Sequence, residues 1–272
     1  MRVMIWCDME GISAITRWDQ CTAGAAQYEE GRRLYTADVN AAVRGARKGG
    51  ANHIVVVDGH GAGADHSFNS WIKEDLEPGA EYVFGHRWSS YVDPLRDESL
   101  DAMLFVGAHS MAGTPDGVLS HTVSSLSWHA VQINGKPAGE IAMMSAVAGS
   151  FGVPVVYVSG DRAAVREARA LLGDSLMATE TKIGLGRFSA RCLPPCDSRK
   201  RIEMDVAEAL RKRDRWPAAY VPGTSVELGV ELTSPDKVAD YRNKTGVEIT
   251  GPRNVVSRAS HYWQAWDQFW RG

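Results

Sequence analysis

Short apolar runs alternate with helical patterns along the first half of the chain. Four of these runs have the length of β-strands and consist almost entirely of apolar, often β-branched residues, which is typical of parallel strands buried on both faces. The four runs cover residues 3–7, 54–57, 103–106 and 153–158. Between the first two runs, Tyr28–Lys48 carries apolar residues at helical spacing and is followed by two glycines, so it predicts a helix.

The alternation of strands and helices predicts an α/β fold with a mostly parallel sheet flanked by helices. Further strands are predicted at residues 82–85, Trp128–Ile133, 177–193, Val226–Leu232 and 247–250. Further helices are predicted at residues 138–151, Arg162–Leu172, 198–212 and 257–270. We expect the last third of the chain to form a smaller α+β subdomain.

The length of the chain bears on its domain organisation. A single hydrophobic core stops growing at roughly 250–300 residues, and the chain has 272. We therefore expect residues 1–265 to form either one domain or two intertwined subdomains with a boundary near residues 170–200.

Composition and charge limit the classes of partner. Hydrophobic residues make up 44% and charged residues 23% of the chain, values that are ordinary for a soluble globular protein. The net charge is −3 and no dense basic run is present, so we expect no nucleic-acid partner. No apolar stretch reaches the roughly 18–20 residues of a membrane span, and the first residues do not resemble a signal peptide. We therefore expect a cytoplasmic protein without membrane contact.

Two carboxylates directly follow the first predicted strand. Asp8 and Glu10 are two positions apart, so their side chains point to the same face of an extended chain. Open α/β sheets bind ligands at the carboxyl ends of their strands, and neighbouring carboxylates repel unless protons or cations neutralise them. The pair therefore suits a metal site. The competing interpretation is that Asp8 caps a turn and Glu10 is solvated.

Histidines follow two other predicted strands. His60 and His109 each come shortly after an apolar run and a glycine, although a lone histidine at such a place is usually a loop residue. Glu140 falls in the first turn of a predicted helix, where its competing role is to interact with the helix dipole. Together with Asp8 and Glu10, these residues supply three carboxylates and two imidazoles, a set that suits zinc or manganese better than magnesium. Two such ions would activate a water molecule for hydrolysis.

Five short segments carry a more specific pattern. They are Asp8-Met9-Glu10-Gly11-Ile12-Ser13, Gly59-His60, Gly107-Ala108-His109, Thr114-Pro115 through Gly117-Val118-Leu119-Ser120-His121, and Gly139-Glu140. In this order they resemble the D-aminopeptidase family of metallopeptidases, the type associated with a dipeptide-transport operon, and the similarity runs from residue 1 to about residue 265. The sequence departs from the family pattern at Gly59, where a serine is common, and at Asp116, which is inserted between Pro115 and Gly117.

The resemblance implies a function and a site. It implies that two zinc ions per subunit are bound by Asp8, Glu10, His60, His109 and Glu140. It also implies that His121 is the catalytic histidine, either as nucleophile or as general base. The expected activity is that of an aminopeptidase that removes the first residue, often a D-residue, from short peptides with a free amino terminus. The expected assembly is a homodecameric ring.

Two other functions are compatible with the same residues. The ligand set alone also permits a binuclear hydrolase of another substrate, such as an amidase or a phosphoesterase. A peptide-binding protein without catalysis belongs to a different class, and metals that activate water would serve it no purpose.

Overall fold

Twelve strands form two sheets in the structure, a computed structural model that describes residues 1–63, 66–86, 92–97 and 99–271. In chain order the strands are β1 (Arg2–Cys7), β2 (His53–Asp58), β3 (Glu81–Val83), β4 (Ala102–Ala108), β5 (Trp128–Ile133), β6 (Lys136–Pro137), β7 (Val155–Asp161), β8 (Met177–Gly186), β9 (Ser189–Cys192), β10 (Val226–Leu232), β11 (Val247–Gly251) and β12 (Asn254–Ala259). The helices are α1 (Tyr28–Lys48), α2 (Asp93–Asp97), α3 (Glu140–Ser150), α4 (Arg162–Leu172), α5 (Pro195–Arg211) and α6 (Tyr262–Gln268). Short 3-10 segments cover Trp18–Gln20, Lys73–Asp75, Arg213–Arg215 and Pro235–Tyr241.

The larger sheet has the strand order β3-β2-β1-β4-β7-β8-β9, and every neighbouring pair is parallel except β8 and β9. Side chains of the central strand β1 alternate between the two faces of the sheet. Val3, Ile5 and Cys7 pack into a core shared with α1 and α5. Met4 and Trp6 pack into a second core, shared with α3 and the smaller sheet. The nearly continuous apolar pattern of β1 therefore reflects burial on both faces.

The smaller sheet is antiparallel, with the order β11-β12-β10-β5-β6. Its strands come from two parts of the chain, because β5 and β6 precede α3 whereas β10, β11 and β12 follow α5. Val131 of β5 and Leu228 of β10 share one core with α3 and α6. Trp128 of β5 also stacks on Trp270, with the ring centroids 5.8 Å apart. The predicted α/β class, with a mostly parallel sheet flanked by helices and a smaller second part, is confirmed. The prediction that the last third of the chain alone forms this smaller part was wrong, because β5 and β6 complete its sheet whereas β8 and β9 extend the larger sheet.

Four predicted elements have the observed bounds. They are Tyr28–Lys48, Trp128–Ile133, Arg162–Leu172 and Val226–Leu232. The predicted strand region at residues 177–193 is divided into β8 and β9, which form an antiparallel hairpin. The predicted start of the closing helix at residue 257 was wrong. Residues 257–259 belong to β12, where burial alternates with a period of two, and α6 begins only after the His261 side chain caps its first turn.

The prediction that residues 1–265 form one domain or two intertwined subdomains, with a boundary near residues 170–200, stays a prediction. Among the residues described, no helix combines the length and the apolar character needed to cross a membrane.

Candidate metal centre

Parallel strands bring the five predicted metal ligands to one edge of the larger sheet. β1 lies between β2 and β4, so the carboxyl ends of these three strands lie side by side. Asp8 and Glu10 follow β1, His60 follows β2, and His109 follows β4. Glu140 is the first residue of α3, and its carboxylate reaches the same place. This is the edge at which open α/β sheets bind ligands.

Two glycines allow the loops after β1 and β4 to touch. The amide of Gly11 donates a hydrogen bond of 2.8 Å to the carbonyl of Gly107, and a Cβ on Gly11 would lie 2.0 Å from the carbonyl oxygen of Ala108. Gly107 has a φ of +81°, and a Cβ there would lie 2.0 Å from the carbonyl oxygen of Asp8. Only residues without a side chain permit this approach, which places Asp8 beside His109.

Asp8 lies at the centre of the cluster. Its Oδ1 is 3.2 Å from Nδ1 of His60, and its Oδ2 is 3.4 Å from Nε2 of His109. Nδ1 of His60 is also 3.2 Å from Oε2 of Glu10. Nε2 of His109 is 3.1 Å from Oε1 of Glu140. Asp8 thus joins two groups, each of which contributes one imidazole and one further carboxylate.

Backbone carbonyls orient the three imidazoles near this cluster. Nε2 of His60 lies 2.8 Å from the carbonyl oxygen of Cys21. Nδ1 of His109 lies 3.1 Å from the carbonyl oxygen of the next residue, and Nδ1 of His121 lies 2.9 Å from that of the second residue before it. A carbonyl oxygen only accepts, so each of these nitrogens carries a hydrogen and donates it. The other nitrogen of each ring is then available to bind a metal or to accept a proton.

Buried charges within the cluster shift one another's pKa. Burial, together with the charge of Glu10, raises the pKa of Asp8 to about 7. Burial also opposes ionisation of Glu10 and of His60, but the attraction between these two groups outweighs it. The pKa of Glu10 therefore lies well below its usual value, and the pKa of His60 lies well above.

Glu140 and His109 form the second pair of this kind. Burial opposes the charge on both, but their mutual attraction lowers the pKa of Glu140 and raises the pKa of His109 well above its usual value. Two buried carboxylates, Asp8 and Glu10, and the partly buried carboxylate of Glu140 require positive charge nearby. Protons on the imidazoles are one source of this charge, and divalent cations are a stronger source.

The donor atoms fit zinc. Oε2 of Glu10 and Nε2 of His109 are buried and make no hydrogen bond to the described residues, although oppositely charged groups lie within 3.4 Å of each. Asp8, Glu10 and His109 offer ligand atoms that all lie within 4.8 Å of one another, and so do His109, His121 and Glu140. Mixed carboxylate and imidazole donors are typical of zinc sites.

His121 lies beside the ligand cluster but differs from His60 and His109 in its electrostatics. Its ring stacks on the ring of His109 with the centroids 4.0 Å apart, and its Nε2 is 3.8 Å from Oε1 of Glu140. Burial, together with the charge of His109, lowers the pKa of His121 to about 4. His121 is therefore neutral near pH 7, and its Nε2 can either accept a proton or bind a metal.

The cluster adjoins a cavity of about 490 Å³. Glu10, His60 and His121 line this cavity, so a bound molecule would touch both the ligand cluster and His121. Large apolar and aromatic residues form much of the remaining wall: Trp18, Phe68, Leu126, Trp128, Tyr241 and Trp270. No sequence motif marks these residues, because they come from widely separated parts of the chain.

A buried lysine that was not predicted supports the loop after β1. Lys182 of β8 is only 2% exposed, and its Nζ donates hydrogen bonds of 2.6, 2.7 and 2.6 Å to the carbonyls of Glu10, Ile12 and Ile15. Burial lowers the pKa of Lys182. A lysine within a strand is usually exposed, so its sequence position alone did not indicate this role.

The two departures from the family pattern are accommodated locally. A Cβ on Gly59 would lie 2.4 Å from the ring of Trp6, so a serine would not fit unless that ring moved. The carboxylate of Asp116 accepts two hydrogen bonds, of 2.7 and 2.9 Å, from Arg166 of α4. The inserted residue is thus held at the protein surface, and His121 still reaches the ligand cluster.

Comparisons with known proteins show the family of the chain. A family model described as D-aminopeptidase matches residues 1–270 of the chain. The D-aminopeptidase of Bacillus subtilis (strain 168) is 30% identical over 268 residues, which cover 98% of this chain and 94% of the relative. The solved structure of the Zn-dependent D-aminopeptidase DppA from Bacillus subtilis, described as a self-compartmentalizing protease, has a TM-score of 0.89 and 29% identity, with 98% of this chain and 95% of that chain covered. This chain belongs to the D-aminopeptidase family.

Proposed function

We propose that this protein is a zinc-dependent aminopeptidase that removes the first residue, in the D configuration, from short peptides. The observation that carries the proposal is the convergence of two imidazoles and two further carboxylates around Asp8, in a cluster that adjoins a cavity. The similarity to Zn-dependent D-aminopeptidase DppA supports the metal and the reaction.

The geometry around Asp8 favours two zinc ions per subunit. Its two carboxylate oxygens face different imidazoles, so we assign one ion to Asp8, Glu10 and His60. We assign the second ion to Asp8, His109 and Glu140. Zinc bound in this way would polarise the scissile carbonyl and favour the ionisation of a water molecule.

His121 has the properties of the group that moves the proton. Its Nδ1 is occupied by the carbonyl of Leu119, and its Nε2 is unprotonated near pH 7 because burial lowers its pKa. We propose that Nε2 accepts a proton from the attacking water and passes it to the leaving amine. The alternative role, in which Nε2 attacks the carbonyl itself, would form an acyl-imidazole that rapid quenching of the reaction detects.

The variant His121→Ala tests this assignment. We expect it to abolish turnover of D-Ala-D-Ala while the zinc content stays near the wild-type value. The control is His66→Ala, because His66 is exposed and lies outside the ligand cluster. Loss of zinc together with activity would instead make His121 a metal ligand or a residue required for folding.

A substrate panel separates the proposed function from its competitors. Purified protein with zinc is incubated with D- and L-aminoacyl amides, D-Ala-D-Ala and phosphate esters. We expect release of the first residue from the D-peptides. Cleavage of phosphate esters alone would indicate a phosphoesterase, and binding of peptide without any cleavage would indicate a peptide-binding protein.

We also propose that residues 1–265 act as one domain, and that the chain works in the cytoplasm as a homodecameric ring. The description of DppA as self-compartmentalizing supports an oligomer. Several large apolar side chains are exposed and suit subunit contacts: Leu126, Leu185, Phe188, Met204 and Val221. Light scattering should give ten times the 29.7 kDa mass of one chain, and a mass near 29.7 kDa would refute the ring.

A further inference from the structure

A second cavity, of about 470 Å³, meets the cavity of the metal centre. The two cavities share His121, Ser125 and Trp128 in their walls. The second cavity is lined by none of the five proposed metal ligands. A peptide whose scissile bond lies at His121 can therefore extend from the metal centre into the second cavity.

The two cavities differ in charge. Glu10 and Asp240 line the cavity of the metal centre, whereas none of the described residues that line the second cavity is acidic. Arg187 provides a fixed positive charge in the second cavity, because a guanidinium stays protonated at any ordinary pH. The second cavity is thus suited to a negatively charged group of the substrate.

Arg187 is held in place by the loop that carries His121. Its Nε donates a hydrogen bond of 3.2 Å to the carbonyl of Ser120, and its own carbonyl accepts one of 2.8 Å from the amide of Leu119. The guanidinium carbon lies 5.8 Å from the ring centroid of Trp18. Among the described residues, Nη1 and Nη2 have no hydrogen bond or ion pair. The fork of donors is therefore oriented but available to a ligand.

The distance from His121 to Arg187 limits the length of the ligand. Both groups lie beside the ring of Trp18, whose centroid is 5.2 Å from that of His121 and 5.8 Å from the guanidinium carbon of Arg187. The two groups are therefore at most about 11 Å apart, so no more than about three extended residues, at roughly 3.3–3.6 Å each, fit between them.

We propose that Arg187 binds the carboxylate at the C-terminus of the substrate and so selects di- and tripeptides with a free carboxyl group. The proposal rests on the proposed aminopeptidase function. The first residue lies at the metal centre, the scissile bond at His121, and the terminal carboxylate at Nη1 and Nη2 of Arg187. A carboxylate bound by two parallel N–H groups is the arrangement that arginine favours.

The test compares D-Ala-D-Ala with its C-terminal amide, on the zinc-loaded wild-type protein and on Arg187→Gln. We expect wild type to hydrolyse the free acid with a kcat/KM about 10-fold to 100-fold higher than the amide, the range of a charge-assisted contact. Arg187→Gln should lose this preference through a higher KM for the acid, while the amide changes less than about twofold. Arg187→Lys should retain part of the preference, since it keeps the charge but not the fork.

The control variant is Arg191→Gln, because Arg191 is exposed on β9 and lines neither cavity. Equal loss on acid and amide in Arg187→Gln would overturn the proposal, since it would mean that Arg187 only supports the backbone at Ser120. A wild-type protein that cleaves both substrates equally well would also overturn it. A wild-type protein that cleaves neither substrate would instead refute the aminopeptidase function itself.

Discussion

Replacement of Lys182 by methionine tests how the fold holds Asp8 and Glu10, the first pair of proposed metal ligands. Methionine has nearly the length of lysine and fills the buried space, but it donates no hydrogen bond. The change would leave the carbonyls of Glu10, Ile12 and Ile15 without the hydrogen bonds that Nζ donates to them. The loop that positions Asp8 and Glu10 would then lose its support from β8.

The magnitude follows from two opposing contributions. A hydrogen bond from a charged donor contributes about 1.5–3 kcal/mol, so the loss of three of them costs about 4.5–9 kcal/mol. Removal of a buried ammonium offsets several kcal/mol of that cost, because the charge no longer has to be held away from water. We therefore expect Lys182→Met to lower the free energy of unfolding by about 2–4 kcal/mol.

Urea unfolding measures this change in stability, and competition with a chromogenic chelator measures zinc affinity below the unfolding transition. We expect Lys182→Met to weaken zinc binding by about 10-fold or more, the size seen for residues that orient metal ligands. The control is Lys200→Met on α5, where the lysine side chain is 74% exposed. If Lys182→Met unfolds like the control and binds zinc as tightly as wild type, the loop does not depend on Lys182 and the reasoning is refuted.

Three further predictions concern the substitution of Gly107, the substitution of the inserted residue Asp116, and the removal of zinc. Gly107→Ala should lower the free energy of unfolding by about 2–4 kcal/mol, because its Cβ would clash with the backbone of Asp8. The control is Gly113→Ala, which is also at positive φ but in open space and should cost only about 1–2 kcal/mol. Equal costs for the two variants would contradict the clash. Asp116→Asn removes an exposed ion pair with Arg166, so the free energy of unfolding should stay within about 1 kcal/mol of wild type and kcat within about twofold. A tenfold fall in kcat would instead show that the inserted residue shapes the loop that carries His121. Removal of zinc by a chelator should lower Tm by about 5–10 °C relative to protein at a zinc concentration of 100 times Kd. An unchanged Tm would argue against a zinc site that exists only in the folded protein.

The convergence of the five proposed metal ligands could be predicted from the sequence because each lies at the end or the start of an element whose pattern is readable on its own. Asp8, His60 and His109 follow strands with continuous apolar runs, and parallel strands necessarily bring their carboxyl ends to one edge. Glu140 begins a helix that is buried on nearly all sides. The glycines next to these residues permit the close contact between loops and are part of the same short motifs.

Features that depend on contacts between distant segments could not be predicted in this way. Lys182 and Glu10 are 172 residues apart, and nothing in the strand pattern of β8 indicates that its lysine is buried. The strand β12 was not predicted, because it is defined by its pairing with β10 and β11 rather than by a readable pattern of its own. Arg187 lies in the turn between β8 and β9. The sequence predicted one strand region at residues 177–193, so this turn was not expected.

Anomalous X-ray scattering at the zinc absorption edge, from crystals grown with ample zinc, tests the central claim most directly. We predict two strong peaks per chain, roughly 3.5–4 Å apart, with Asp8 between them. Ligand atoms of Glu10, His60, His109 and Glu140 should lie about 2.0–2.2 Å from one peak or the other. Peaks located elsewhere, or no peak at this edge of the sheet in crystals that contain zinc, would contradict the proposed metal centre and the peptidase mechanism built on it.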